Sequence, residues 1–229
     1  MQDTTSVGRV LVTGGASGLG AAVADSVAAT GGQPIVLDLV EPTSPHPFYC
    51  VYLADSPVTE SMVAYVGESG LDAIVTCAAI DSCGPLESVK TEDWERVIAV
   101  NLMGTASVIR AAMPALAKSK GRIVTVASTL GRRALPDATA YCASKFGVVG
   151  LSRALNAELK GEPPVTCVMP GGMRTSFFDG RPAKYRPAPD APLMDASDVA
   201  DIIVDVLKRN RSAMVPELMI TPGGETSWP

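Results

Sequence analysis

One histidine, His46, stands in the whole chain. This excludes a histidine-based nucleophile triad and a histidine-rich metal site, so no metal centre is expected. Its setting, Pro45-His46-Pro47, predicts an exposed loop residue. The five cysteines (Cys50, Cys77, Cys83, Cys142 and Cys167) are odd in number and lack metal-ligand spacing, which suits a reducing cytoplasm better than a disulfide framework. No apolar run approaches the roughly 20 residues needed to span a bilayer. Met1-Gln2-Asp3-Thr4-Thr5 has neither the basic cluster nor the apolar core of a secretory signal. Positive charge is also in deficit. Nineteen basic residues against 24 acidic ones give a net charge of −5, which argues against nucleic acid or an anionic membrane as partner. Internal repeats and low-complexity tracts are missing too.

What is present suffices for one substantial core: 229 residues, 47% of them hydrophobic, with no break that suggests a domain boundary, so residues 1–229 are read as one domain. Strand-like and helix-like stretches alternate, the pattern of an α/β protein with a doubly wound parallel sheet. Strands are expected at 10–13, 34–39, 51–55, 73–77, 122–127, 165–169 and 213–221. Helices are expected at 21–30, at 91–116, through Tyr141 and Lys145 to about 159, and at 198–209. Pro114 should terminate or bend the helix that opens with Thr91-Glu92-Asp93.

Two stretches carry chemistry. Gly14-Gly15-Ala16-Ser17-Gly18-Leu19-Gly20 follows the first strand directly and opens the first helix. Glycines let the backbone approach a pyrophosphate, and the helix N-terminus offers free N–H groups. Asp38 lies eighteen residues beyond Gly20 at the end of the second strand, where a carboxylate accepts from adenosine ribose hydroxyls. Such an acid repels the 2′-phosphate of NADP, and neither Ser17 nor Leu39 supplies a cation for it, so NAD is favoured. Further on, Tyr141 and Lys145 stand four residues apart, one helical turn on one face, with Ser128 thirteen positions before Tyr141. A phenol ordinarily ionises near pH ~10. A neighbouring ammonium favours the phenolate, and Ser128 can hold a substrate oxygen beside it.

The spacing Gly-x-x-x-Gly-x-Gly, with Thr13 before it and Ser128, Tyr141 and Lys145 behind, resembles the short-chain dehydrogenase/reductase family over nearly the whole chain. The resemblance implies a single-domain Rossmann-type sheet of about seven strands with helices on both faces. It implies hydride transfer between NAD and a secondary alcohol or ketone. Asn101, in Val100-Asn101-Leu102-Met103-Gly104, matches the residue that completes the family's catalytic tetrad; there its side chain opens the helix locally and helps hold a water linking Lys145 to solvent. Asp55 matches the acid that contacts adenine. Pro170-Gly171 and Thr175 match the stretch running past the nicotinamide, where the threonine holds the carboxamide. The implied cofactor contacts are Gly14, Ser17, Gly18, Leu19, Gly20, Asp38, Leu39, Ala54, Asp55, Cys77, Ala78, Ala79, Tyr141, Lys145, Pro170, Gly171 and Thr175. A homotetramer or homodimer, joined through the helices bearing Asn101 and Tyr141, is implied as well.

One departure is plain. Thr76-Cys77-Ala78-Ala79 stands where the family usually has Asn-Asn-Ala-Gly, so the side-chain amides are gone and Ala79 requires a backbone conformation open to a Cβ. Residues 175–196, rich in proline and arginine, match the family's mobile substrate lid. Phe177 and Phe178 at its start suggest a modest, partly apolar substrate. Arg132-Arg133 is read chiefly as a solvated pair and alternatively as facing an anionic substrate group, and Cys142 as a packing residue. Other functions remain open: an NADPH-dependent biosynthetic reductase, an NAD-binding regulatory protein without turnover, and a lyase or epimerase. A broken tetrad would mark the regulatory protein. The lyase or epimerase would favour a larger C-terminal domain than the 54 residues after Thr175 provide.

Overall fold

The computed structural model describes residues 6–210 and 212–225; the N-terminal stretch read above, residues 1–5, lies outside them. Among the described residues nine strands form: β1 Arg9–Thr13, β2 Gln33–Asp38, β3 Phe48–Cys50, β4 Ala73–Thr76, β5 Arg122–Val126, β6 Val165–Pro170, β7 Met173–Arg174, β8 Met194–Asp195 and β9 Glu217–Ile220. Six α-helices accompany them: α1 Gly18–Ala29, α2 Ser56–Glu68, α3 Thr91–Ile98, α4 Thr105–Ser119, α5 Thr139–Leu159 and α6 Ala196–Lys208. Seven strands make one parallel sheet in the order β3-β2-β1-β4-β5-β6-β9, and β7 pairs with β8 separately.

Period-two alternation sends side chains of one strand to opposite faces. Val10 and Val12 of β1 pack with α1 and α6, through Val23, Val27, Val199 and Ile203. Leu11 between them packs with α2 and α4, through Val63, Val66, Val108 and Leu116. Helices therefore cover both faces, which is why β1, β4 and β6 read as continuous apolar runs. Because β2 and β4 flank β1 on opposite sides, the strand order reverses there. A crevice opens outside the carboxyl ends, the place where such sheets bind ligands.

Several expectations need correction. The third strand lies at Phe48–Cys50, ahead of the expected 51–55. Its ladder ends where Cys50 pairs with Asp38, the last residue of β2, and Asp55 N then closes a turn onto Tyr52 O at 2.9 Å. Val51 and Leu53 are nonetheless buried, and that alternating burial is what imitated a strand. The last strand is shorter than expected, since β9 pairs with β6 only from Cys167 to Pro170. Pro114 does not terminate α4, which runs on to Ser119. Both Pro114 and Arg110, whose carbonyl loses its partner, face solvent, so water can satisfy that oxygen. His46 is not an exposed loop residue either: its Nε2 lies 2.8 Å from Asp25 Oδ1 of α1 and its side chain is 13% exposed.

The helical stretch Thr91–Ser119 is long and apolar enough, by length and composition alone, to cross a membrane, contrary to the reading that no run approaches a bilayer span. Half of its apolar window is buried within the protein, and Val97, Val108, Ile109, Ala112 and Leu116 are core residues. It is interrupted by a π-helical segment, Ala99–Gly104, that contains Asn101.

Candidate active site

The carboxyl ends of β1, β4, β5 and β6 border a cleft of about 930 Å³. The glycine turn builds one end of it. Gly14 has φ +70°, and a Cβ there would come within 2.6 Å of the Ala78 Cα. The turn thus lies directly on the loop after β4, and Ala78 N donates to Thr13 Oγ1 at 3.2 Å. Ser17 is the N-cap of α1 but makes no side-chain cap bond. The first N–H groups of α1 are therefore left for the cleft, which Ser17, Gly18, Leu19 and Gly20 line. A Cβ at Gly20 would fall inside the carbonyl oxygen of Gly14, so only glycine leaves this cradle open.

Asp38 ends β2, and its carboxylate is held by backbone donors: Oδ2 accepts from Ala16 N at 2.9 Å and Oδ1 from Leu39 N at 2.7 Å. Asp38 and Leu39 line the cleft, as do Cys77, Ala78, Ala79, Pro170, Gly171 and Thr175. Ala54 and Asp55 do not. Asp55 caps α2 instead, accepting from Val58 N at 3.1 Å, and the cleft wall there is Val51, Tyr52 and Leu53. A long cleft, an anion cradle and a fixed carboxylate at the next strand's end fit a dinucleotide.

At the other end, Ser128, Tyr141 and Lys145 line the same cleft. Ser128 follows β5 and accepts from Leu130 N at 3.1 Å. One turn of α5 separates Tyr141 from Lys145, whose Nζ donates to Val126 O at 2.9 Å and lies 5.5 Å from the phenol ring centroid. Asn101 is buried and does not line the cleft. Its Oδ1 accepts from Ile80 N at 2.8 Å, while Nδ2 donates to Ile80 O at 2.9 Å and to Ser144 Oγ at 3.1 Å. It therefore fastens the loop after β4 to α5. Removing it strands the Ile80 N–H and carbonyl, each costing about 1–3 kcal/mol when buried and unpaired. Asn101→Ala is expected to lose about 2–4 kcal/mol of stability, checked by denaturant unfolding. The Ala79 backbone is not among the left-handed non-glycine residues, so its Cβ is accommodated.

Burial governs the titration here. The Lys145 amine is pushed down from 10.5 to about 8, mainly by burial. Burial raises the Tyr141 phenol above its ordinary 10.0, helped by the Asp81 charge and opposed by a Ser128 hydrogen bond and by Arg181. In the protein by itself, Lys145 therefore does not bring the phenol down as its spacing suggests; the burial that disfavours its own ammonium disfavours the phenolate too. Burial also pushes the Cys77 thiol up to about 12. The effects on stability have opposite signs. Between pH 8 and 10.5 the unfolded chain holds more protons at Lys145, so stability rises with pH. Above the ordinary 9.0 of Cys77 and 10.0 of Tyr141 the folded chain holds more, and stability falls. The melting temperature is expected to rise from pH 8 to about 9 and decline beyond, with the rise lost in Lys145→Met.

Phe177, read from sequence as apolar lid surface, packs on Tyr141, whereas sequence reasoning missed the polar contacts that tie the 175–196 segment down. Arg181 pairs with Asp81 at 2.6 Å, Phe177 lies 5.6 Å from the Tyr141 ring centroid, and Tyr185 donates to Asp137 Oδ2 at 2.8 Å. The available signal was an acid at the carboxyl edge and an arginine in the segment expected to cover it. Arg132 and Arg133 divide: Arg132 pairs with Glu217 at 2.9 Å, whereas Arg133 lines the cleft. Cys142 is buried, as expected of a packing residue.

The sequence profile described as short chain dehydrogenase matches residues 8–186. The chain belongs to the short-chain dehydrogenase family. It is an NAD(P)-dependent oxidoreductase of the alcohol–ketone type. The (3R)-3-hydroxyacyl-CoA dehydrogenase of Rattus norvegicus is 31% identical over 84% of this chain and 86% of its own length. The glycine betaine reductase ATRR of Emericella nidulans is 31% identical over 94% of this chain, which spans only 19% of that larger protein. Among solved structures, the ligand-free aldohexose dehydrogenase of Thermoplasma acidophilum shares the fold, with TM-score 0.86 at 21% identity over 96% of this chain and 94% of that one.

Proposed function

We propose that this short-chain dehydrogenase is a single catalytic domain that oxidises a modest, partly apolar secondary alcohol with NAD, or reduces the matching ketone. The observation that carries the reading is one cleft holding both the backbone-fixed Asp38 carboxylate and the Ser128, Tyr141 and Lys145 side chains. When bound, a nicotinamide dinucleotide supplies the hydride acceptor. Gly14, Gly18 and Gly20 with the start of α1 receive its pyrophosphate, Asp38 its ribose hydroxyls, and Pro170, Gly171 and Thr175 flank its far end. Ser128 holds the substrate oxygen. Tyr141 takes the hydroxyl proton in oxidation and returns it in reduction. Lys145 holds positive charge near the phenol, and Asn101 keeps the walls in register. Residues 175–196 act as the lid, Phe177 supplying its apolar inner surface. We place the enzyme in the cytoplasm as a homodimer or homotetramer; exposed Met103 and Phe146, on the two helical segments expected at the interface, support the assembly.

The test is oxidation of a panel of secondary alcohols with NAD⁺, followed by absorbance of the reduced nicotinamide. Turnover is expected on at least one member, with Ser128→Ala lowering kcat by about 10²-fold. Tight NADH binding without turnover of any member would favour the regulatory protein instead.

A further inference from the structure

The Asp81–Arg181 pair has no part in the reaction described above. The Asp81 side chain is 6% exposed, and its Oδ2 receives both Arg181 and the Cys83 thiol, the latter at 3.2 Å. Its Oδ1 accepts from Ser82 N at 2.7 Å, which fixes the carboxylate. The Arg181 guanidinium lies 4.9 Å from the Phe177 ring centroid and 4.6 Å from that of Phe178, and Phe177 in turn packs on Tyr141. Both members of the pair line the cleft. Arg181 Nε is buried without a hydrogen-bond partner.

That nitrogen is closed off, but the guanidinium keeps N–H groups beyond its bonds to Asp81 and to Tyr185 O, and its side chain is 18% exposed where it lines the cleft, so an acceptor oxygen on a ligand lying there would match one of them. The charge on that oxygen matters. Asp81 already neutralises the guanidinium, so a carboxylate brought to Arg181 would meet a fixed like charge at close range in a site shielded from water. A carbonyl, ester or hydroxyl oxygen meets no such penalty.

We propose that Asp81 and Arg181 form a charge filter: Arg181 receives a neutral hydrogen-bond acceptor near the reacting carbon of the substrate, and Asp81 rejects a carboxylate in that place. The inference rests on the reading that the reacting carbon sits at Ser128 and Tyr141. It makes Arg181 and Asp81 specificity-determining residues and the substrate a hydroxy or oxo compound with a neutral ester-, thioester- or hydroxyl-type neighbour. Arg96 and Arg133 also line this cleft; if either received the substrate group, an anion would bind best already in the wild type.

Calorimetric titration of the NADH-loaded protein with ethyl 3-hydroxybutyrate and with free 3-hydroxybutyrate tests the filter, because this combination binds without turning over. The ester is expected to bind roughly tenfold tighter than the acid. In Asp81→Asn the acid should gain about tenfold and the preference vanish or invert. Arg181→Gln reads the filter from the other side, should Asp81→Asn disturb the lid: the ester should weaken by about tenfold. The filter is overturned by equal binding of acid and ester in the wild type, by an unchanged ratio in Asp81→Asn, or by binding of neither probe. If NADH itself fails to bind, the dinucleotide reading falls separately, and the same titrations without cofactor still decide whether Asp81 sets the ratio.

Discussion

Tyr141→Phe is expected to leave NADH affinity within about twofold of wild type while lowering kcat by roughly 10²–10⁴-fold, the usual span for loss of a positioned acid or base. The ring of Tyr141 packs on Phe177, and phenylalanine keeps that contact, so the lid and the cleft wall should be undisturbed. The hydroxyl alone is lost, and with it the proton acceptor and its hydrogen bond with Ser128. The phenol's environment sharpens the expectation: burial and the Asp81 charge disfavour its ionised form, opposed by Ser128 and Arg181. Oxidation, which needs the phenolate, should therefore accelerate with rising pH in the wild type, and Tyr141→Phe should abolish that rise. A variant that retains both kcat and the pH response would mean that the proton leaves by another group.

Gly20→Ala should damage cofactor binding and folding together. A Cβ at this position would overlap the Gly14 carbonyl, and its next neighbour, Gly15 N, is also backbone. Neither atom can rotate away as a flexible side chain would. Relief requires moving α1 away from the glycine turn, and Gly14 cannot follow, because it is itself pressed on Ala78. The start of α1 then no longer presents its N–H groups at the same place. A loss of about 10²-fold in NADH affinity is expected, with about 1–3 kcal/mol of stability lost to overpacking. Gly180→Ala, where a Cβ meets nothing within 4 Å, serves as the control and should change neither. Equal behaviour of the two variants would refute the role given to the cradle.

The parts of this protein legible in its sequence are those that local chemistry dictates. A strand, a glycine turn and a helix placed the cradle, and a spacing of four placed Tyr141 and Lys145 on one face of α5. What escaped depends on distant residues meeting. The third strand was misplaced because Val51 and Leu53 are buried past the end of the ladder, where Val51 N makes its last bond to Asp38 O, and burial alone produces the same alternation. That α4 continues past Pro114 escaped because the cost of a proline depends on whether the carbonyl of Arg110 faces water. Asp81 and Arg181 lie a hundred residues apart in sequence, and no spacing rule joins them. The burial that raises the Tyr141 phenol escaped for the same reason, since Lys145 is visible as a neighbour in sequence whereas depth of burial is not.

The most direct test of the dinucleotide cleft is a fluorescence titration of wild type and Asp38→Ala with NADH and NADPH. Asp38 presents a carboxylate fixed by Ala16 N and Leu39 N at the end of β2, where the proposed reading puts the adenosine ribose. The wild type should bind NADH at least about tenfold tighter than NADPH, and Asp38→Ala should lose that preference by weakening NADH and sparing NADPH. Tighter binding of NADPH by the wild type, or binding of neither cofactor, would contradict it.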